Sequence, residues 1–317
     1  VTLVRILRDY DFPDLLRQTP GGRGEWGGIR FTEEPVAACD AAVVLNAPGA
    51  AVRLRCPPGR VWAMMQEPPN EHFGRFHHGE PVHDRVYTTR ADLVGPRYRH
   101  VQPALPWHVG RSYDELSACP PPAKSRGLSW ITSNATAFAG HRRRMRFLET
   151  VRGRLDFDLF GRGFTPVADK WDALAPYRFS LAVENHAADH YFTEKLTDCL
   201  LAWTVPVYAG CPNVGDYFPP EAVIVFDPDD PRAPEAIAQA MHAEPWARRL
   251  EALAEARRLV LDRLQLFPFL AGELAACPPG GAPRRVRLAP PRTGPGPLRR
   301  AARAVGARLR ALAGGRP

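Results

Sequence analysis

Tyr177-Arg178-Phe179-Ser180-Leu181-Ala182-Val183-Glu184-Asn185, followed after a short turn by Tyr191-Phe192-Thr193-Glu194-Lys195, is the stretch whose reading decides the fold. An apolar run of strand length, Phe179 to Val183, stops at a carboxylate and an amide. Helical spacing then begins at Thr193 and puts Leu196, Leu200 and Trp203 on one face. A strand that runs through a polar turn into a helix is the repeating unit of an open α/β sheet. In such sheets ligands collect outside the carboxyl ends of the strands, where helix N-termini also point. Glu184, Asn185, Tyr191, Glu194 and Lys195 lie along that edge. A lysine in the first helical turn opposes the helix dipole unless an anion offsets it. The arrangement predicts a negatively charged ligand, with a nucleotide diphosphate as the natural candidate.

Outward from this stretch the alternation continues. Downstream, Val205–Tyr208 suits a strand closed by Gly210, Val223–Phe226 suits another, and Pro234–His242 and Pro245–Leu266 suit helices. Upstream, Leu128–Thr132 reads as a strand, Arg142–Val151 as a helix, and Asp156–Phe160 as a strand ending in the turn Gly161-Arg162-Gly163. Strand and helix alternating at this spacing predict a parallel sheet covered on both faces, over residues 128–282. Residues 1–118 read as a first α/β domain with strands at Val1–Leu7, Ala41–Leu45, Val61–Met65 and Arg85–Thr88. The proline-dense run at 119–127 reads as a linker, and 283–317 as a basic Pro/Arg-rich tail. Over residues 128–282 neither a GxGxxG nor a Walker sequence is present, so neither common phosphate loop is available there.

The 317 residues suffice for two domains of ordinary size, and 45% hydrophobic with 24% charged residues fits a folded globular chain. No apolar run approaches the roughly 20 residues that span a bilayer. Val1–Leu7, interrupted by Arg5, reads as a first strand and not as a signal peptide. The six cysteines form no CxxC pair and no zinc spacing, which predicts reduced thiols, no metal centre and a cytoplasmic setting. Basic residues are almost all arginine; lysine occurs only at 124, 170 and 195. Ten arginines and no acid lie from Arg284 onward, so by difference from the total of +8 the preceding body carries −2. A near-neutral body argues against a nucleic-acid partner, which wants a basic face on the folded domain. In the tail, Leu298, Ala302, Val305, Leu309 and Leu312 recur at helical spacing among arginines. That pattern suits peripheral contact with the anionic inner face of a membrane.

The run from Tyr177 to Asp227 also resembles the donor-site signature of the α1,3/1,4-fucosyltransferases, glycosyltransferase family ten, in a bacterial-type form. Its elements occur in order: Tyr177-Arg178-Phe179 leading to Glu184-Asn185, then Tyr191-Phe192-Thr193-Glu194-Lys195, an apolar helix, Val205-Pro206-Val207, Gly210-Cys211-Pro212, and Tyr217-Phe218-Pro219. Upstream the similarity passes through Trp130-Ile131-Thr132-Ser133-Asn134, the arginines at 142–144 and Asp156-Phe157-Asp158-Leu159-Phe160-Gly161. In the first domain it touches only Trp62-Ala63-Met64-Met65-Gln66-Glu67-Pro68, where Pro68 stands at a position often occupied by serine in the family.

The resemblance implies a GT-B architecture: two Rossmann-like domains facing a cleft, the second holding GDP-fucose and the first meeting a glycan acceptor, which a membrane-bound enzyme would find lipid-linked. It further implies inverting transfer of L-fucose to an acceptor hydroxyl. Lys195 and Arg144 are the expected cations on the departing diphosphate, where charge builds up in the transition state. Asn185 and Tyr191 would supply neutral hydrogen bonds, and Glu194 would take ribose hydroxyls or face charge on the sugar. Glu184 reads equally as a donor-site residue or as a strand-end carboxylate satisfied by backbone N–H groups. Glu67 is the expected general base, with Glu71 and His72 as neighbours able to replace it. With cations supplied by side chains, no metal and no cofactor is required. The alternatives are a transferase of the same fold using another GDP-sugar and a non-catalytic nucleotide- or glycan-binding protein.

Overall fold

The computed structural model describes residues 1–278 and 280–290. In chain order the strands are β1 (Thr2–Arg8), β2 (Glu25–Trp26), β3 (Ile29–Thr32), β4 (Ala41–Leu45), β5 (Val52–Cys56), β6 (Val61–Met64), β7 (Arg85–Thr88), β8 (Tyr98–His100), β9 (Arg126–Ile131), β10 (Asp158–Phe160), β11 (Tyr177–Val183), β12 (Val205–Ala209), β13 (Ile224–Val225) and β14 (Arg284–Leu288). The α-helices are α1 (Tyr113–Ala118), α2 (Ala139–Val151), α3 (Glu194–Leu201), α4 (Ala233–Ala243), α5 (Leu250–Leu259) and α6 (Leu266–Ala275).

Two separate sheets organise the chain as an α/β, GT-B-like pair of Rossmann-type bodies. The first has the order β2-β3-β1-β4-β6-β7-β8, parallel throughout except for the short β2–β3 hairpin. The second has the order β10-β9-β11-β12-β13, all parallel. Numbered within its own body, that order is 2-1-3-4-5, which reverses between β9 and β11; the crevice at such a reversal is where an open sheet takes its ligand. β4, β6 and β12 are buried along their whole length, as strands covered on both faces must be.

The boundaries expected from composition move in three places. The chain passes from one core to the other between Ala104, which packs with Val4, Trp62 and Tyr87, and Trp107, which packs with Leu128 and Trp130. Residues 119–127 are therefore not a linker. They run along the second body, where Lys124 Nζ donates to Ala202 O at 2.9 Å and to Thr204 Oγ1 at 3.0 Å. The second body also ends well before 282. Val260 and Leu261 belong to its core, whereas Leu266, Phe267, Leu270 and Leu274 of α6 are buried in the first. Each such side chain contributes about 1.5–3 kcal/mol on burial, enough to fold the chain back across the junction. Finally, 284–288 is not tail: β14 pairs antiparallel with β5, Val286 opposite Leu54, and buries Val286 and Leu288 behind the first sheet. The amphipathic pattern at 298–312 lies outside the described residues.

The two crossings run side by side. Gln102 Nε2 donates to Leu264 O at 2.8 Å, and Gln265 Nε2 to Gln18 O at 3.1 Å. The single helix expected over Pro245–Leu266 is accordingly broken. A 3-10 turn and α5 lead into a π-helical turn at Val260–Leu264, and Gln265 then caps α6 by accepting from Phe267 N.

Candidate active site

The carboxyl ends of β9 and β11 and the start of α3 converge at the reversal of the second sheet. Glu184, the residue after β11, is buried, with 6% of its surface exposed. Its carboxylate accepts Thr193 N at 2.8 Å and the Thr193 hydroxyl at 2.8 and 2.9 Å on its two oxygens. Thr193 is the N-cap of α3, and its Oγ1 in turn accepts from Lys195 N at 3.3 Å and Lys195 Nζ at 3.0 Å. Glu184 thus fastens the strand end to the helix start. Gly210 leaves room for it, since a Cβ there would sit 2.5 Å from Glu184 Cγ.

From Lys195 an alternating chain of charge runs inward. Its Nζ lies 3.2 Å from Glu184 Oε2 and 3.6 Å from Glu194 Oε1. Glu194 Oε1 is 3.4 Å from Lys170 Nζ, which is 2.9 Å from Asp198 Oδ2. The other Asp198 oxygen accepts the backbone N–H groups of His108 at 2.8 Å and Val109 at 3.4 Å, on the segment that has just crossed from the first body. His108 Nδ1 stands 4.0 Å from Glu194 Oε1. Burial would raise the Glu194 pKa, but Lys195, Lys170 and His108 outweigh it and hold the carboxyl well below its usual range. Glu184 goes the other way, raised by its complete burial despite Lys195 and Thr193. Burial opposes the charge on Lys195, yet Glu184 and Glu194 keep it protonated. Burial lowers the His108 pKa, with the nearby Glu194 carboxylate opposing it.

The remaining cation comes from α2. Of the arginines at 142–144 only Arg144 is buried; Arg142 donates to Thr136 O and Ala137 O, and Arg143 pairs with Asp229 and Asp227. Arg144 donates to Asn185 Oδ1 and to Ser133 O and Oγ at 3.3 and 3.2 Å, while its buried Nε has no hydrogen-bond partner within the protein. The first turn of α2 lies directly on the Asn185 backbone, where a Cβ on Gly140 would come to 1.6 Å from Asn185 O. Tyr191 is buried, and its phenol is pushed well above 10 by that burial, reinforced by the charges of Glu184, Glu67 and Glu194.

Glu67 belongs to the first body, close enough for its charge to be felt at Tyr191. It follows β6, its N–H donates to Asn46 Oδ1 at 3.2 Å, and its carbonyl accepts from His77 Nε2 at 2.9 Å. The next loop also reaches across, with the His72 ring 5.2 Å and the Phe73 ring 6.1 Å from Phe138 at the start of α2. Six of the seven expected residues (Arg144, Glu184, Asn185, Tyr191, Glu194 and Lys195) thus gather at one helix start, and the seventh, Glu67, comes from the facing domain. Lys170, Asp198 and His108 complete the cluster without having been expected as site residues. Among the described residues, no group of three or more His, Cys, Asp or Glu is placed to hold a metal ion, and no helix is long and apolar enough to cross a membrane.

Residues 121–243 match the family described as glycosyltransferase family 10 (fucosyltransferase), C-terminal part. A curated relative from Pongo pygmaeus, 4-galactosyl-N-acetylglucosaminide 3-alpha-L-fucosyltransferase FUT6, is 34% identical over 159 residues, covering 48% of this chain and 41% of that one. The human 3-galactosyl-N-acetylglucosaminide 4-alpha-L-fucosyltransferase FUT3 is 29% identical over 191 residues, covering 56% of this chain and 48% of that one. The chain thus spans less than half the length of these relatives. A solved structure of an alpha1,3-fucosyltransferase with GDP aligns over 81% of this chain and 82% of that one, at 18% identity and a TM-score of 0.46.

Proposed function

We propose that the chain, whose residues 121–243 match the family described as glycosyltransferase family 10 (fucosyltransferase), is an inverting fucosyltransferase that moves L-fucose from GDP-fucose to a hydroxyl of a glycan. The observation that carries this reading is the convergence of Lys195, Arg144 and the α3 N-terminus at the sheet reversal inside the matched segment. Two fixed cations and a helix N-terminus form a site for a diphosphate. In the proposed reaction Glu67 takes the proton from the acceptor hydroxyl, whose oxygen attacks the anomeric carbon of fucose. The bond from that carbon to the β-phosphate oxygen breaks on the opposite face, and the electron pair leaves with GDP. Lys195 shifts from Glu184 and Glu194 toward the phosphate oxygens, and Arg144, with its unfilled Nε, does the same from the other side. Both stabilise the product-like charge more than the bound donor, which is what lowers the barrier. Glu194 stays ionised after Lys195 turns away because Lys170 remains beside it. Asn185 and Tyr191 orient the donor, and Glu184 holds the strand end to the helix cap.

Release of GDP from GDP-fucose, GDP-mannose and GDP-glucose, each with an oligosaccharide panel, tests the reading. Turnover confined to GDP-fucose supports it, turnover with another GDP-sugar changes the donor, and GDP binding without transfer makes the protein a binder. Lys195→Ala should lower turnover by about 10²–10³; turnover within a few-fold of the unchanged protein removes Lys195 from the mechanism.

A further inference from the structure

The first sheet has its own reversal, and a single aromatic side chain stands at its mouth. From β1 the sheet extends to β3 on one side and β4 on the other, so its crevice opens beyond the carboxyl end of β1. The loop that leaves this end carries Phe12, which is 56% exposed and is the one exposed large aromatic among the described residues. Exposure of an apolar ring costs free energy in water, and a mobile loop would normally fold such a ring away. This loop cannot. Arg8 Nη1 donates to Pro13 O at 2.7 Å, and Tyr10 OH donates to Gln66 Oε1 at 2.7 Å. Gln66 is itself fixed by donating to Pro103 O and Ala104 O.

The ring's neighbours define what passes over it. On one side the Phe12 ring meets His108 edge to face, with centroids 5.1 Å apart, and His108 Nδ1 reaches Glu194 at 4.0 Å. His108 is held from behind by Asp198, so both faces of this corner are rigid. On the other side Tyr10 binds Gln66, the residue next to Glu67. The Phe12 loop thus touches the segment that carries Glu67, through Tyr10, and His108 beside Glu194, the carboxylate at the proposed donor site. An exposed ring on a loop with these two neighbours is placed to meet a sugar ring entering beside the proposed donor site. Pyranose rings carry an apolar face of axial C–H bonds, which packs on an exposed aromatic ring while the hydroxyls on the rim stay hydrogen-bonded. A rigid aromatic anchor gives contact area at little cost in conformational entropy.

We propose that Phe12, backed by His108, is the platform on which the acceptor saccharide stacks for fucosyl transfer. This rests on the transferase reading above, and the experiment separates the two. The probes are the octyl glycosides of galactosyl-β1,4-N-acetylglucosamine and galactosyl-β1,3-N-acetylglucosamine, with GDP release followed at saturating GDP-fucose and GDP affinity measured by calorimetry on the same preparations. Phe12→Ala should raise the KM for the accepted disaccharide by about tenfold or more. Phe12→Trp should stay within about threefold of the unchanged protein, and both variants should bind GDP with unchanged affinity, which also shows that they are folded. An acceptor KM within twofold in Phe12→Ala, or an equal rise in both variants, overturns the platform. So does an unchanged protein that binds GDP and turns over neither disaccharide. An unchanged protein that fails to bind GDP sinks the donor reading instead.

Discussion

Replacing Lys170 tests whether the cluster at α3 is one coupled electrostatic unit. Lys170 Nζ lies 2.9 Å from Asp198 Oδ2 and 3.4 Å from Glu194 Oε1, with side-chain exposures of 24%, 2% and 16% for the three residues. These groups are too enclosed for water to take over the lysine's role. Lys170→Met strands Asp198 without its cation, and removing one partner of a buried pair costs about 3–5 kcal/mol. Asp198→Asn leaves an oxygen for His108 N and Val109 N but turns an amide N–H toward Lys170, at a comparable cost. In the double variant neither an orphan charge nor a clash of donors remains, so the losses should fall short of additive by about 1–3 kcal/mol. At about 2–4 °C per kcal/mol for a body of this size, each single variant should melt roughly 6–20 °C lower. The double variant should then melt higher than the summed losses require. Melting is followed by circular dichroism at pH 7 with and without GDP, and Lys170→Arg should recover most of the loss. Strict additivity within about 0.5 kcal/mol would refute the coupling.

Acidification should expose Glu194. Because its folded-state carboxyl is held below the ordinary value, the stability it contributes is present above about pH 4.3 and lost as pH falls through the depressed value. Glu194→Gln should therefore melt lower than the unchanged protein at pH 7 yet lose less on going from pH 5 to pH 3; parallel melting curves over that range would count against the pairing with Lys195 and Lys170. Gly140→Ala forces the start of α2 off Asn185, since its Cβ would fall 1.6 Å from Asn185 O. A forced shift of this kind costs about 1–3 kcal/mol or more, and by drawing Arg144 away from Asn185 it should weaken GDP binding by about tenfold; calorimetry showing wild-type affinity would exclude that end of α2 from the donor site.

Much of the second body was legible because its strands and helices announce themselves locally. Phe179–Val183 is an apolar run, Thr193 is a capping residue, and Leu196 and Leu200 fall one turn apart. What escaped notice depends on distant pairing. No local pattern links Val286 to Leu54, and the run Leu266–Leu274 is apolar enough to suit either core. The proline-dense run at 119–127 misled because proline marks any extended segment, whether it joins two domains or lies against one. Lys170 escaped for a different reason: it sits on a 3-10 turn capped by Asp169, with no helical period around it. A compositional trace of it existed all the same. In a chain that uses arginine almost everywhere, Lys124, Lys170 and Lys195 each place the ammonium on hydrogen-bond acceptors of the second body.

The paired crossings at 104–107 and 262–265 have a mechanical consequence. A single connecting strand would let two bodies swivel about any direction, whereas two strands bound to each other through Gln102 and Leu264 act as a two-pin hinge. Twisting and sliding are resisted there, and Arg17 and Gln18 of the first body reinforce the join by donating to Val109 O at 2.9 Å and Trp107 O at 3.1 Å. The same topology makes the second body unsuited to excision as a fragment. A cut after residue 243 removes α5, which packs under α3, and a cut beyond α6 carries four apolar side chains away from the core that shelters them.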